Sequence, residues 1–201
     1  MGYTHYWHRK GPEISPEVFN AIVKDFKKMR LMFNEFCLKL AGWDGTGNPL
    51  LSPSKVSFNG DVNCGHTERD LGITWPKKGA NGVNTTHGYG DVGGEWIGGA
   101  QLNTRTCGGD CSHESFTFKR IDRNDFEFNF CKTAYKPYDI AVNAFLIIAK
   151  HHMGNDLNVS SDGDIEEWAD AMNLCNNFLG YGNDFYFGYT REEEEAKCSN
   201  A

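Results

Sequence analysis

The residue types best suited to chemistry fall into three groups. Cys64-x-His66 and Cys107-x3-Cys111-x-His113 put thiol and imidazole ligands at both ends of a glycine-rich stretch. Such a set suits a tetrahedral zinc that would staple the two ends together, with free thiols in a polar loop as the alternative. His113-Glu114-Ser115, together with the distant His5, offers the proton-handling groups of a hydrolase or phosphodiesterase. Only one good His-x-Ser/Thr motif is present, so a solvated strand edge competes with that reading. Lys132-Thr133-Ala134-Tyr135-Lys136-Pro137-Tyr138-Asp139 gathers cations, a hydroxyl and phenols just before a helix start. Exposed N–H groups and the helix dipole favour anions there, so Lys132, Lys136, Tyr138 and Asp139 form the preferred ligand pocket, with solvated surface charges as the alternative.

The elements that must position these groups follow from periodicity and caps. Residues 3–10 alternate aromatic and polar side chains and predict an opening strand. Ser15-Pro16-Glu17 caps a helix whose apolar face runs from Val18 through Phe26 and Phe33 to Leu40, ending at Gly42, about seven turns. Lys55 to Asn59 predicts a short strand. From Asp61 to Ser112 glycine is dense and no period is sustained, so this stretch reads as an insertion. His113 to Arg120 and Asp125 to Lys132 alternate cleanly and predict a hairpin, with Phe126, Phe128 and Phe130 on one face. Lys136-Pro137-Tyr138-Asp139 opens a buried helix ending at Gly154, and Leu157 to Ser160 is a short strand. Asp164 and Glu167 form a capping box before a third helix stopped by Gly180, and Asp184 to Tyr189 predicts a last strand.

This order implies an α+β fold: a two-layer sandwich with a mainly antiparallel sheet, about three helices and a split β-α-β arrangement of ferredoxin-like type, plus the glycine-rich insertion. The expected organisation is a single domain over residues 1–189 with insertion 61–112 and a charged tail over 190–201.

Composition limits the function classes. In 201 residues, 14 Phe, 8 Tyr and 5 Trp supply core area although hydrophobic residues make up only 39%. The longest apolar run, Ala144 to Ala149, is far short of a membrane span. With 20 Lys+Arg against 27 Asp+Glu the net charge is −7, which argues against an extended nucleic-acid footprint but leaves room for a local basic pocket. The N-terminal residues lack a secretory pattern, and Cys37, Cys131 and Cys175 sit in apolar periodic segments, so a reducing cytoplasm is expected. No P-loop, G-x-S-x-G elbow or H-E-x-x-H occurs. Ser160-Ser161-Asp162-Gly163-Asp164 suggests a calcium loop, but Ala169 stands where a bidentate Glu is required.

Met1-Gly2-Tyr3-Thr4-His5-Tyr6-Trp7, Phe58-Asn59-Gly60, His113-Glu114-Ser115-Phe116, Phe130-Cys131-Lys132-Thr133-Ala134, Lys136-Pro137-Tyr138-Asp139, Ala149-Lys150-His151-His152 and Ser160-Ser161-Asp162-Gly163-Asp164 together resemble a family of small uncharacterised proteins of tailed-phage genomes and metagenomes. The resemblance omits Asp61 to Ser112, since Phe-Asn-Gly in that family is followed within a few residues by His-Glu-Thr/Ser-Phe. It therefore implies an insertion of about fifty residues and puts Cys64, His66, Cys107 and Cys111 outside the shared core. A phage origin would place the protein in the host cytoplasm and make a host signalling nucleotide a natural ligand.

The leading expectation is a binding protein for a small anionic ligand such as a nucleotide, with Lys132, Lys136, Asp139, Tyr138 and His113 at the pocket and Trp7 stacking on the ligand. A hydrolase using His113, Glu114 and His5 is the first alternative. A virion structural or interaction component, including a homo-oligomer, is the second.

Overall fold

The computed structural model describes residues 3–35, 38–65, 105, 107 and 109–187. Within them the order is β1 (Thr4–Arg9), α1 (Pro16–Glu35), β2 (Leu40–Ala41), β3 (Leu50–Leu51), β4 (Lys55–Gly60), β5 (Phe116–Lys119), β6 (Asn129–Lys132), α2 (Asp139–Met153), β7 (Leu157–Ser161) and α3 (Ala169–Leu179). The fold is α+β, as the sequence predicts.

The strands form two antiparallel sheets. One has the order β6-β1-β7; in the other, β2 and β3 flank β4, which also pairs with β5. β1 is antiparallel to both neighbours, pairing Tyr6 with Phe130 on one side and with Ser160 on the other. Strands β6 and β7, joined through α2, thus run parallel to each other with β1 between them, which is the split β-α-β unit.

Helix α1 carries an apolar stripe of Phe19, Ile22, Val23, Phe26, Met29 and Phe33, all buried, and packs it against α2. From Ile140 to Ala149 every α2 residue is buried. Aromatic contacts join the layers: Phe26 meets Phe145 edge-on at 5.1 Å and stacks on Phe58 at 5.2 Å. Trp7 reaches Phe116 at 5.1 Å, bringing both sheets into one core.

Three expectations are corrected. The predicted hairpin does not form, because β5 pairs with β4 and β6 pairs with β1; the alternation of 113–132 fixed which faces are apolar but not which strand each edge would choose. The first helix ends at Glu35 within the described residues, and Leu40–Ala41 is drawn into a strand opposite Asn59 and Gly60. Residues 184–187 form no strand; instead Phe185 stacks on Trp168 at 5.0 Å. No described helix is long and apolar enough to cross a membrane.

Candidate functional site

Three side-chain groupings surround the split β-α-β unit. The first is the cysteine cluster. β4 ends in Gly60, and the chain turns through Asp61, whose carboxylate accepts the Asn63 N–H at 2.9 Å and pairs with Lys39 at 2.5 Å. This turn delivers Cys64. Its Sγ lies 3.3 Å from that of Cys107, which lies 3.3 Å from that of Cys111. All three sulfurs fall within 4.8 Å of one another, so the cluster could hold a metal ion.

Two features hold the cluster in place. A Cβ on Gly60 would stand 1.8 Å from the Cys111 carbonyl oxygen, so only glycine permits this approach. Lys136 donates to the carbonyls of Cys107 and Asp110 at 2.7 and 2.6 Å. Burial, then the neighbouring thiols, push the Cys111 thiol well above its usual range. A divalent cation would reverse that preference, because it binds thiolates. His66 lies outside the described residues. His113 is not part of the cluster; its Nδ1 is 2.7 Å from the Lys132 carbonyl.

The second grouping is a buried polar network at the end of β1 where α2 begins. Asp139, the first residue of α2, has no exposure. Its Oδ1 receives His5 Nε2 at 2.6 Å and the Thr133 hydroxyl at 2.5 Å, while its Oδ2 receives Arg105 Nε at 2.8 Å. Arg105 also reaches Asp170 at 3.6 Å. Burial alone would raise the Asp139 pKa, but the Arg105 charge, then His5 and the hydrogen bonds, hold it at about 2. His5 Nδ1 is 3.0 Å from Ser161 Oγ. Alongside, Tyr3 stacks on Tyr135 with 3.8 Å between ring centroids. Ala134 and Tyr135 both adopt positive φ, 50° and 56°, in the turn that delivers Asp139. Non-glycine residues hold such angles only where the surroundings impose them. Here the N–H groups of Thr133 and Ala134 both donate to the Tyr3 carbonyl, at 2.9 and 3.1 Å.

The third grouping is the outward face of the β6-β1-β7 sheet. Side chains alternate along β1, so His5, Trp7 and Arg9 point inward while Tyr6 and His8 point out. Phe128 and Phe130 are 51% and 54% exposed. Phe128 lies 6.0 Å from Tyr6, 5.3 Å from His8 and 6.0 Å from Phe130, centroid to centroid. Lys132 follows Phe130 at the same parity, opposite Thr4; its ammonium makes no ion pair among the described residues.

The structure thus divides the predicted ligand pocket. Asp139 and Tyr138 are buried, the Tyr138 hydroxyl donating to the Glu114 carbonyl at 2.6 Å. Lys136 is committed to the cysteine loop, and Trp7, 2% exposed, is a core residue. The three proton-handling residues are not gathered either. His113 and Glu114 both bind the Lys132 backbone, Glu114 accepting its N–H at 2.8 Å, whereas His5 is bound to Asp139 and Ser161. Sequence reasoning missed Arg105, Ser161 and Asp170. Arg105 shares the glycine-rich stretch with Arg69, Lys77 and Lys78, so its type did not single it out; Ser161 was read only within a calcium-loop pattern, and Asp170 carried no signal.

Neither a family model, nor a curated protein, nor a solved structure matches the chain.

Proposed function

We propose that the chain binds a small anionic ligand carrying an aromatic base, a nucleotide, on the outward face of the β6-β1-β7 sheet. The observation that supports this reading is the outward row of Tyr6, Phe128 and Phe130 beside Lys132, whose ammonium makes no ion pair among the described residues. Leaving Phe128 and Phe130 exposed, with Tyr6 half-buried beside them, costs hydrophobic free energy, and such a platform offers a nucleobase a surface to stack on. Lys132 supplies the charge for a phosphate, and Asp162, which accepts the Tyr6 hydroxyl at 3.0 Å, offers its carboxylate to a ribose hydroxyl. The stacking role expected of Trp7 falls to residues of the opposite parity, Tyr6 foremost. Calorimetric titration with purine and pyrimidine nucleoside mono- and triphosphates tests the reading. Saturable binding that Phe130→Ala and Lys132→Ala each weaken about tenfold is expected; unchanged affinity in both variants, or no binding at millimolar ligand, would overturn it.

For the cysteine cluster, zinc is the metal we propose, because three soft thiolate ligands within 4.8 Å of one another suit it and His66 follows Cys64 by two residues. It would act as a structural staple joining the turn after β4 to the loop of Cys107 and Cys111, the two ends of the insertion.

A further inference from the structure

We propose that Ser161 is a nucleophile, with His5 as its general base and Asp139 as the orienting carboxylate, in a site that cleaves small uncharged carboxylic esters. Ser161 Oγ, His5 and Asp139 form an unbroken chain, 3.0 Å from Oγ to Nδ1 and 2.6 Å from Nε2 to the carboxylate. A hydroxyl on a histidine that a buried carboxylate orients is the geometry by which activated serines are recognised, wherever the residues fall in the sequence.

The partners set the roles. An ionised carboxylate accepts, so His5 carries its proton on Nε2 and presents the Nδ1 lone pair to the Ser161 hydroxyl. Asp139 is in turn fixed by Arg105 and Thr133, so the imidazole cannot swing away. Ser161 is the one member of the chain that is not fully buried, and so the one a substrate can reach.

A stabilising donor is also present. The Tyr3 hydroxyl is buried beside the Ser161 hydroxyl, and among the described residues it meets no other hydrogen-bond partner. Burial and then Asp139 push the Tyr3 pKa up, so the phenol stays protonated and able to donate. Gly163 makes this packing feasible, since a Cβ there would lie 2.7 Å from the Tyr3 oxygen and 1.8 Å from a Glu167 oxygen. Among the described residues no other group takes the phenol proton, so it is available to an oxyanion forming on the Ser161 adduct.

In the first half-reaction Ser161 Oγ bonds to the ester carbonyl carbon as its proton passes to His5 Nδ1. The carbonyl π electrons move to oxygen, next to Tyr3. Collapse of this intermediate expels the alcohol, which takes the proton from His5 and leaves an acyl-Ser161. Water repeats the sequence, releasing the carboxylic acid and restoring the hydroxyl. Asp164, Glu166 and Glu167 follow Ser161 closely in the chain, and their charge opposes an anionic substrate and favours a neutral one.

The test uses the full chain with a fluorophosphonate probe and p-nitrophenyl acetate. One adduct per chain, mapped to Ser161 by peptide mass, and ester hydrolysis at least 100-fold faster than by Ser161→Ala are expected, with both proteins giving the same circular dichroism. Ser161→Cys should transfer the labelling to a thiol-directed iodoacetamide. Labelling at any other residue, or equal rates for the wild type and Ser161→Ala, would show that the network only fastens β1 to α2.

Discussion

Tyr6 stands directly across from Phe130 in the antiparallel pairing of β1 and β6, and both rings face away from the core. Their neighbours in sequence, His5 and Cys131, are paired in the same register and fully buried. One step along the strand therefore separates the packed interior from the aromatic surface. Exposure sets the outcome of substitution here. Phe130→Ala should leave the thermal midpoint within a few degrees of wild type, whereas Trp7→Ala should cost roughly 3–5 kcal/mol by emptying a core site. Paired melts of the two variants check this, and equal destabilisation would contradict the assignment of faces.

The cysteine cluster predicts one zinc per chain in protein purified without chelator, measured by atomic emission. Removing it should lower the melting temperature, and Cys107→Ser should lower zinc occupancy. Because ligation requires thiolates, zinc should be released as the pH falls. Metal content near zero, with melting indifferent to chelator, would contradict the proposal.

Gly60→Ala tests the same region from the backbone side. With only 1.8 Å between the added Cβ and the Cys111 carbonyl oxygen, main chain must move. Destabilisation of about 2 kcal/mol or more is expected, together with weakened metal retention. Urea unfolding monitored beside zinc content reads both.

Asp139 gives a signed pH dependence. Its carboxyl titrates at about 2 in the folded chain against 3.8 ordinarily. The group therefore contributes stability that is fully present above pH 4 and lost as the pH falls towards 2. The loss should amount to about 2 kcal/mol. Asp139→Asn should remove that part of the acid slope and, by leaving Arg105 and His5 without their shared partner, cost roughly 3–5 kcal/mol at neutral pH. Urea unfolding at a series of pH values separates the two effects.

The sequence made much of the scaffold legible because its signals are local. Ser15-Pro16 starts α1, the Asp164/Glu167 capping box forms as read, and the apolar run of α2 is buried all round. Partner choice is not local: nothing in residues 113–132 tells β5 to seek β4 and β6 to seek β1. The same limit applied to the site. Lys132 was identified with an anion pocket from its type, but Lys136, four residues on, is spent on the carbonyls of a loop that arrives from Cys107 and Asp110. The alternation of β1 was visible, yet the face that Trp7 occupies depends on which side α1 and α2 cover. Arg105 could be assigned no partner, since Asp139 and Asp170 approach it only through the fold.

Amide and aromatic chemical-shift mapping with a nucleoside triphosphate tests the central claim most directly, because it locates the ligand without presuming the site. The account predicts saturable shifts concentrated on Tyr6, Phe128, Phe130, Lys132 and Ser160, with the interior neighbours His5 and Trp7 much less affected. Shifts confined to another surface, or none at millimolar ligand, would contradict it.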